Sequence, residues 1–203
     1  MKLDMYPHER RMIPSGGRPC RRGVSADQTA IKEERALGRH GRVRIIKRRR
    51  DGALERLVGG VPFIGFLGIR FDRRGDELTA ILPYADKLIG NPLIPALHGG
   101  VTAAFLEVAA IIELSWATLW EDMERPGGAD PPLPPLHLPK TIDFTVDYLR
   151  AGLPRDAYAR ARVNRSGRRY ASVHVEAWQD NRQRLFAQAT GHFLMPDAPA
   201  DNG

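Results

Sequence analysis

Cysteine is almost absent from this chain of 203 residues, which contains only Cys20. A single thiol cannot form an internal disulfide framework or a cysteine-rich metal site. The six histidines lie at positions 8, 40, 98, 137, 174 and 192, without the spacing of metal ligands. The chain also lacks a G-x-S-x-G elbow, a Walker phosphate loop, a G-x-G-x-x-G fingerprint and an H-E-x-x-H motif. We therefore expect neither a metal nor a bound cofactor.

Long apolar runs are missing as well. No segment contains 18 consecutive apolar residues, and no apolar segment follows the first methionine. A membrane span needs about 20 predominantly apolar residues, and a secretion signal needs an apolar core behind its charged start. The sequence thus predicts a soluble, cytoplasmic protein that does not enter a membrane.

Basic charge is concentrated at one end of the chain. Residues 1–52 hold 15 Lys/Arg and 6 Asp/Glu, whereas residues 53–203 hold 16 and 18, so the net charge of +7 belongs to the N-terminal segment. Because that segment has few large apolar residues, we predict a largely disordered extension. Aromatic side chains do not alternate with the basic residues of this segment, and it contains no recognisable DNA-recognition helix. Nucleic acid is therefore not the expected partner.

The most informative stretch reads HGGVTAAFLEVAA, from His98 to Ala110. Two glycines open an apolar run that continues to about Trp120, which predicts one long, buried helix beginning at Gly99. Glu107 lies inside this helix, and the residues three and four positions away are Ala or Ile, which cannot pair with a carboxylate. Burying an unpaired carboxylate is costly, so Glu107 either finds a partner on another element or performs chemistry.

The start of this helix favours the chemical interpretation. A helix N-terminus carries unsatisfied N–H groups and partial positive charge, so Gly99 and Gly100 can present amides to a carbonyl or a developing oxyanion. Gly99 and Glu107 are separated by roughly 12 Å along one helix axis, so a single helix cannot place both on one carbon. Two antiparallel helices across a two-fold axis can do so, and this chemistry predicts a homodimer.

The same residues resemble a known family. HGGVTAAFLEVAA is similar to the signature of hotdog-fold acyl-CoA thioesterases of the phenylacetate-degradation (PaaI-like) type, in which a carboxylate follows an HGG turn. TIDFTVDYLRAG at 141–152 resembles that family's strand after the central helix, and the resemblance covers about residues 55–196. It implies an α+β hotdog fold, in which an antiparallel sheet of about six strands wraps around one long central helix. It also implies a homodimer that assembles further into a homotetramer.

The resemblance implies a reaction as well, which is the hydrolysis of an acyl-CoA thioester to free acid and coenzyme A. In this interpretation the Gly99 amide, helped by Gly100, polarises the thioester carbonyl. Glu107 of the partner subunit acts as general base on water or as nucleophile. Asn91 and His98 resemble the polar pair that orients the substrate and fixes the loop, although His98 could equally be a helix cap.

Two positions depart from the family's pattern. Asn91 precedes His98 by seven residues, which is one more than the pattern has. Ile111 stands four residues after Glu107, where some relatives carry a Thr or Ser that helps to hold water. Another group must therefore hold the water in this chain.

The remaining sequence pattern fits the same fold. A short helix is predicted at Ala53–Gly60, a loop at residues 84–97, and a second loop at Arg125–Pro139, which holds six prolines. Strands are predicted at Phe66–Asp72, Glu77–Leu82, Thr141–Leu149, Tyr158–Val163, Tyr170–Trp178 and Leu185–Leu194. Alternation in the third of these places Ile142, Phe144, Val146 and Tyr148 on one face. The chain thus divides into an extension at 1–52, a hotdog domain at 53–196 and a tail at 197–203.

Two other functions fit parts of the sequence. A non-catalytic acyl-CoA sensor would bind the ligand without turnover and use the basic residues 1–52 to bind nucleic acid. A hotdog hydratase or dehydratase is suggested by Asn91-Pro92, but Ile89 and Ile94 stand where such enzymes carry Asp and His.

One further cluster has two interpretations. Arg165, Arg168 and Arg169 lie at a predicted hairpin, where they could meet the phosphates of coenzyme A or form an ordinary solvated turn.

Overall fold

The computed structural model describes residues 39–124 and 138–196, with side chains described from residue 47 and, in the central helix, up to residue 119. The helices in these ranges are α1 (Arg39–Gly59), α2 (Pro62–Leu67) and α3 (Gly99–Glu124). The strands are β1 (Arg70–Arg74), β2 (Glu77–Leu82), β3 (Ile89–Asn91), β4 (Ala96–Leu97), β5 (Lys140–Tyr148), β6 (Ala157–Ser166), β7 (Tyr170–Trp178) and β8 (Ala187–Leu194). Most of the predicted extension, most of the loop predicted at Arg125–Pro139 and the tail lie outside the described residues.

Six strands form one antiparallel sheet around the central helix. Their order is β1-β2-β6-β7-β8-β5, and β3 and β4 form a separate small hairpin. The inward residues of β7 are fully buried, as are the apolar residues of α3 that face the sheet (Ala171, Val173, Val175, Ala177, Phe105, Leu106, Ile112). An apolar helix needs cover on several sides, and the wrapped sheet provides it. The predicted α+β architecture is confirmed.

The central helix is more apolar than the sequence analysis recognised. Gly99–Leu119 is long and apolar enough to cross a membrane, by length and composition alone. The earlier expectation relied on a strict run of apolar residues, which Glu107 and Glu113 interrupt. Half of the most apolar window is buried inside the protein, where it forms the core beneath the sheet. The apolar surface of α3 is therefore used for packing within this fold.

Helix α1 begins earlier than the sequence predicted. It starts at Arg39 instead of Ala53, so residues 39–52 of the extension that was predicted to be largely disordered are helical, and the helix crosses the predicted domain border. Arg73 donates to Asp51 Oδ1 from Nη2 at 2.6 Å and from Nε at 3.1 Å, and the Arg73 side chain is only 5% exposed. This ion pair attaches α1 to β1 upstream of the predicted border.

The first strand of the sheet also differs from its prediction. Phe66 lies in helix α2, which has Pro62 at its start, where a proline is well tolerated. The helix ends at Gly68, whose φ of 72° is in the left-handed region that glycine adopts without strain. Strand β1 therefore begins only at Arg70. The loop predicted at residues 84–97 contains a 3-10 turn at Asp86–Leu88 and the β3–β4 hairpin.

Strand β5 contains an irregularity that changes which side chains face the helix. Its register against β8 shifts by one residue between Thr141 and Asp143, and Thr141 pairs with the buried Phe193. Cross-strand partners share a face of the sheet, so Thr141 points to the helix side. Ile142 is the extra residue and is 59% exposed. The prediction that Ile142 shares the face of Phe144, Val146 and Tyr148 is wrong for this reason.

Glu113 is a half-buried acid on α3, and burial raises the pKa of its carboxyl from 4.5 to about 7. Below pH 4.5 the carboxyl is protonated in the folded and unfolded chain, so it costs nothing. Between these two values the unfolded chain releases the proton and the folded chain keeps it, so stability falls as the pH rises towards 7. Glu113→Gln should remove this loss and be more stable than the parent at pH 8 by roughly 3 kcal/mol.

Urea unfolding of both proteins at pH 5 and pH 8 measures this effect. The exposed Glu55, changed to Gln, is the matched control and should leave the pH dependence as it is. Equal pH dependence in the parent and in Glu113→Gln would contradict the prediction.

Candidate active site

The start of helix α3 is capped by His98. The His98 carbonyl accepts the first intrahelical hydrogen bond from Thr102 N at 3.0 Å, and His98 Nδ1 accepts one from Gly100 N at 3.0 Å. Both are the bonds of an N-cap residue, which satisfies donors that the first turn cannot pair internally. His98 therefore has the geometry of a helix cap, which is one of the two roles considered for it from the sequence. The Gly100 amide is engaged by it, so Gly100 could contact substrate only if the His98 ring moved.

The β3–β4 hairpin and the 3-10 turn before it hold His98 in place. His98 N donates to Leu88 O at 2.8 Å, and a Cβ added at Gly90 would lie 2.8 Å from His98 Cα. Only glycine allows that approach of two backbone segments. The next residue, Asn91, accepts a hydrogen bond from Leu93 N at 3.0 Å through Oδ1. The Asn91 side chain thus stabilises its own turn, although its backbone lies beside the helix start.

Glu107 has a partner from another element. Thr141 on β5 donates its hydroxyl hydrogen to Glu107 Oε1 at 2.6 Å. Glu107 is only partly buried, in contrast to its neighbours Phe105 and Leu106, which are fully buried. The carboxylate therefore lies on a partly exposed side of α3 beside strand β5, held on one oxygen by a hydroxyl.

A second contact ties β5 to the start of the same helix. Tyr148 donates its hydroxyl hydrogen to Gly99 O at 2.9 Å, and a Cβ added at Gly99 would lie 3.5 Å from the Tyr148 hydroxyl. The Gly99 N–H has no partner inside the helix, because it belongs to the first turn. No acidic residue lies in that turn, so nothing there offsets the partial positive charge of the helix end.

These contacts separate the predicted site residues into two groups. His98, Gly99 and Gly100 form the helix start beside Asn91, whereas Glu107 lies eight residues further along, roughly 12 Å away along the axis. One protomer therefore does not bring Gly99 and Glu107 onto the same atom.

Sequence reasoning missed Thr141 and Tyr148, which contact these two groups. Tyr148 could have been found from the sequence, because the alternation of β5 places it on the apolar face. Thr141 could not, because the register shift that turns its side chain towards the helix depends on pairing with β8.

The fold and this arrangement define a class of protein. The structure has an antiparallel sheet around one long helix, a glycine pair at the start of that helix and a carboxylate within it. These are the features of the hotdog-fold thioesterases that the sequence resembles.

Comparisons with known proteins agree with that class. The family described as acyl-CoA thioesterase N-terminal domain matches residues 91–194. The chain is 32% identical over 142 residues to the medium/long-chain acyl-CoA thioesterase YigI of Escherichia coli strain K12, a match that covers 70% of this chain and 90% of that protein.

Two solved structures share the fold. One is the PaaI protein from the phenylacetic acid degradation operon of E. coli, with a TM-score of 0.57, 14% identity, and coverage of 74% of this chain and 96% of that chain. The other is a Bacillus halodurans protein with CoA, with a TM-score of 0.52, 18% identity, and coverage of 87% and 98%. The chain belongs to the acyl-CoA thioesterase family of the hotdog fold, and the predicted resemblance and enzyme class are confirmed.

Proposed function

We propose that this protein hydrolyses acyl-CoA thioesters with the Gly99 amide and Glu107 as its principal groups. The Gly99 N–H at the helix start polarises the thioester carbonyl and stabilises the oxyanion that forms from it. Glu107 either removes a proton from the attacking water or attacks the carbonyl carbon itself. In both routes the bond between the carbonyl carbon and sulfur breaks, and the thiolate of coenzyme A leaves and takes a proton. In the second route its departure leaves an anhydride between the acyl group and Glu107, which water hydrolyses to the free acid and the Glu107 carboxylate.

His98 and Asn91 have supporting roles in this proposal. His98 fixes the first turn by accepting from the Gly100 amide, and this keeps the neighbouring Gly99 N–H directed away from the helix. Asn91 stabilises the hairpin that holds His98, through its bond to Leu93 N. Neither side chain needs to touch the reacting carbon for these roles.

The distance between Gly99 and Glu107 supports a site shared by two subunits. Strand β5 lies at one edge of the sheet, and its nine residues leave one row of backbone groups without a neighbouring strand in the described chain. Ile142, Tyr148 and Leu149 expose about half of their surface there. Edge strands of this length invite pairing with another chain. A two-fold axis at this edge would bring Glu107 of the partner subunit towards Gly99, and two dimers would form the tetramer that the resemblance implies.

The names of two related proteins support a more specific substrate class. The E. coli relative is named for medium- and long-chain acyl-CoA, and the Bacillus structure contains CoA. We propose a medium- or long-chain acyl-CoA as the substrate of this chain. The single observation that carries the reaction is the position of Glu107, a partly buried carboxylate on the central helix that is held by the Thr141 hydroxyl.

Release of free thiol tests this function. Purified full-length protein is given acyl-CoA esters from short to long chains and an aryl-acetyl ester, and thiol release is followed against time. The proposal expects turnover that is fastest with medium or long chains. Absence of turnover across the panel, with acyl-CoA still bound, would instead support the sensor interpretation.

Thr141 provides a more specific test of how Glu107 is held. Thr141→Val keeps the shape and removes the hydroxyl, so Glu107 loses a hydrogen bond to a charged group, and kcat should fall about tenfold with little change in KM. Thr141→Ser keeps the hydroxyl and should restore most of the rate. Because Ile111 cannot hold water, we propose that the Thr141 hydroxyl takes over that role.

Thr145→Val on the same strand is the matched control for this experiment. Thr145 lies on the outer face, paired with Thr190, and its change should leave kcat as it is. Equal losses from the Val and Ser variants of Thr141 would indicate a packing role and contradict the proposal.

A further inference from the structure

A short segment connects the start of helix α3 to a surface cavity. Tyr148 bonds Gly99 O, and Leu97 N donates to Gly152 O at 2.8 Å, so residues on both sides of Arg150 contact the helix start or the residues just before it. Arg150 itself lines a cavity of about 150 Å³. This arginine cavity therefore lies beside the helix end where the thioester carbonyl is proposed to bind.

The arginine cavity carries an excess of positive charge. Arg150 and Arg184 both line it, and both residues are exposed. Asp180 lines it as well, but Arg155 Nη1 donates to Asp180 Oδ2 at 2.5 Å, so the acidic charge is already paired. The buried ring of Phe186 adds an apolar part to the lining. A ligand with negative charge fits this surface best.

The backbone that presents Arg150 is fixed in place. Leu149 N and Arg150 N both donate to Phe186 O, at 2.9 and 3.0 Å. On the other side, Gln179 accepts from Leu153 N at 2.8 Å and donates to Leu153 O at 2.8 Å and to Arg155 O at 3.1 Å. A preformed wall loses less conformational entropy when a ligand binds.

We propose that Arg150 and Arg184 bind the phosphates of the nucleotide part of coenzyme A. This inference rests on the proposed function, because it takes acyl-CoA as the substrate. In acyl-CoA the phosphates and the thioester are separated by the pantetheine arm, so the phosphates bind away from Gly99 but on the same side of the protein. The planar guanidinium group matches phosphate oxygens with paired N–H donors.

The arginines at the β6–β7 hairpin are the competing site within the chain. Arg165, Arg168 and Arg169 lie near the end of the sheet where Leu194 pairs with both Lys140 and Tyr170. Tyr148, which contacts Gly99, lies at the opposite end of β5. In one protomer the hairpin is therefore distant from the helix start, and Arg165 serves as the matched control.

The experiment uses the full chain and the variants Arg150→Gln, Arg184→Gln and Arg165→Gln. Calorimetry measures the binding of CoA, dephospho-CoA and inorganic phosphate. Kinetics compare one acyl-CoA with the N-acetylcysteamine thioester of the same acyl group, which lacks the nucleotide. Arg150→Gln and Arg184→Gln should each weaken CoA binding and raise KM for acyl-CoA about tenfold. Neither should alter the kinetics of the truncated thioester, and Arg165→Gln should match the parent.

Several results would overturn this assignment. One is that both cavity variants bind CoA as tightly as the parent, and another is that only Arg165→Gln weakens CoA binding. A third is that the cavity variants lose as much activity on the truncated thioester as on acyl-CoA. If inorganic phosphate binds as tightly as CoA, the cavity is a plain anion site. Failure of the proposed reaction gives a different result. In that case the parent releases no thiol from either substrate, while calorimetry still detects CoA binding that depends on Arg150 and Arg184.

Discussion

Gly99→Pro is expected to lower kcat by about a hundredfold to a thousandfold, the loss typical for removing one oxyanion donor. Gly99 is the first residue of α3, where proline is well tolerated because its fixed φ suits the helix and the first N–H has no helical partner. The change thus deletes the amide proposed to polarise the carbonyl while the helix is kept.

Gly99→Ala is the matched control for this experiment. A Cβ at Gly99 would lie 3.5 Å from the Tyr148 hydroxyl, which is an ordinary van der Waals contact, and alanine keeps the N–H. The alanine variant should therefore retain most of its turnover. Steady-state kinetics with one acyl-CoA, together with thermal unfolding of each variant, give the answer. If the proline variant folds and turns over as fast as the alanine variant, the Gly99 amide does not stabilise the oxyanion.

Glu107→Gln should lose on the order of a hundredfold in kcat, since it removes the base or nucleophile and keeps the shape. The Thr141 hydroxyl can still donate to the amide oxygen, so the local packing is retained. The rate of thiol release by the parent and by Glu107→Gln is measured over a range of pH. Loss of a base or nucleophile changes the pH dependence of kcat, whereas a structural defect lowers kcat without changing its pH dependence. A Gln variant with parental kcat would exclude Glu107 from the reaction.

Mixing two inactive variants tests whether the site spans two subunits. Glu107→Gln and Gly99→Pro are unfolded together and refolded, so that hybrid dimers form. In a hybrid, an intact Gly99 of one subunit faces an intact Glu107 of the other, and about a quarter of the parental activity should return. A site built within one protomer would give no gain, because every protomer in the mixture carries one damaged group.

The parts of the fold set by local pattern could be predicted from the sequence. The apolar run after His98 predicted α3 from its first residue. The hairpin of β6 and β7 was predicted from the polar segment at residues 164–167, although residues 164–166 belong to β6. Both depend on residues close together in the chain, where periodicity and turn chemistry are informative.

The parts that depend on distant contacts could not be predicted. Helix α1 extends upstream beyond Asp51, which is held by Arg73 from 22 residues away, and no local pattern contains that information. The candidate site divides in the same way. His98, Gly99 and Glu107 were recognisable as a motif, whereas Thr141 meets Glu107 across 34 residues of chain. Glu113 was missed because its surroundings depend on how α3 packs.

The register shift in β5 has a consequence for comparing this chain with other members of its family. Ile142 adds one residue between Thr141 and the regular alternation that begins at Asp143. In this chain the helix-facing position, Thr141, is two residues before Asp143. In a relative without the extra residue, the position that faces the helix beside the carboxylate would be one residue before its counterpart of Asp143. An alignment column would then pair a helix-facing hydroxyl with an outward side chain, and a shared functional group would look like a substitution. Matching by strand partner, here Phe193, identifies the equivalent residue.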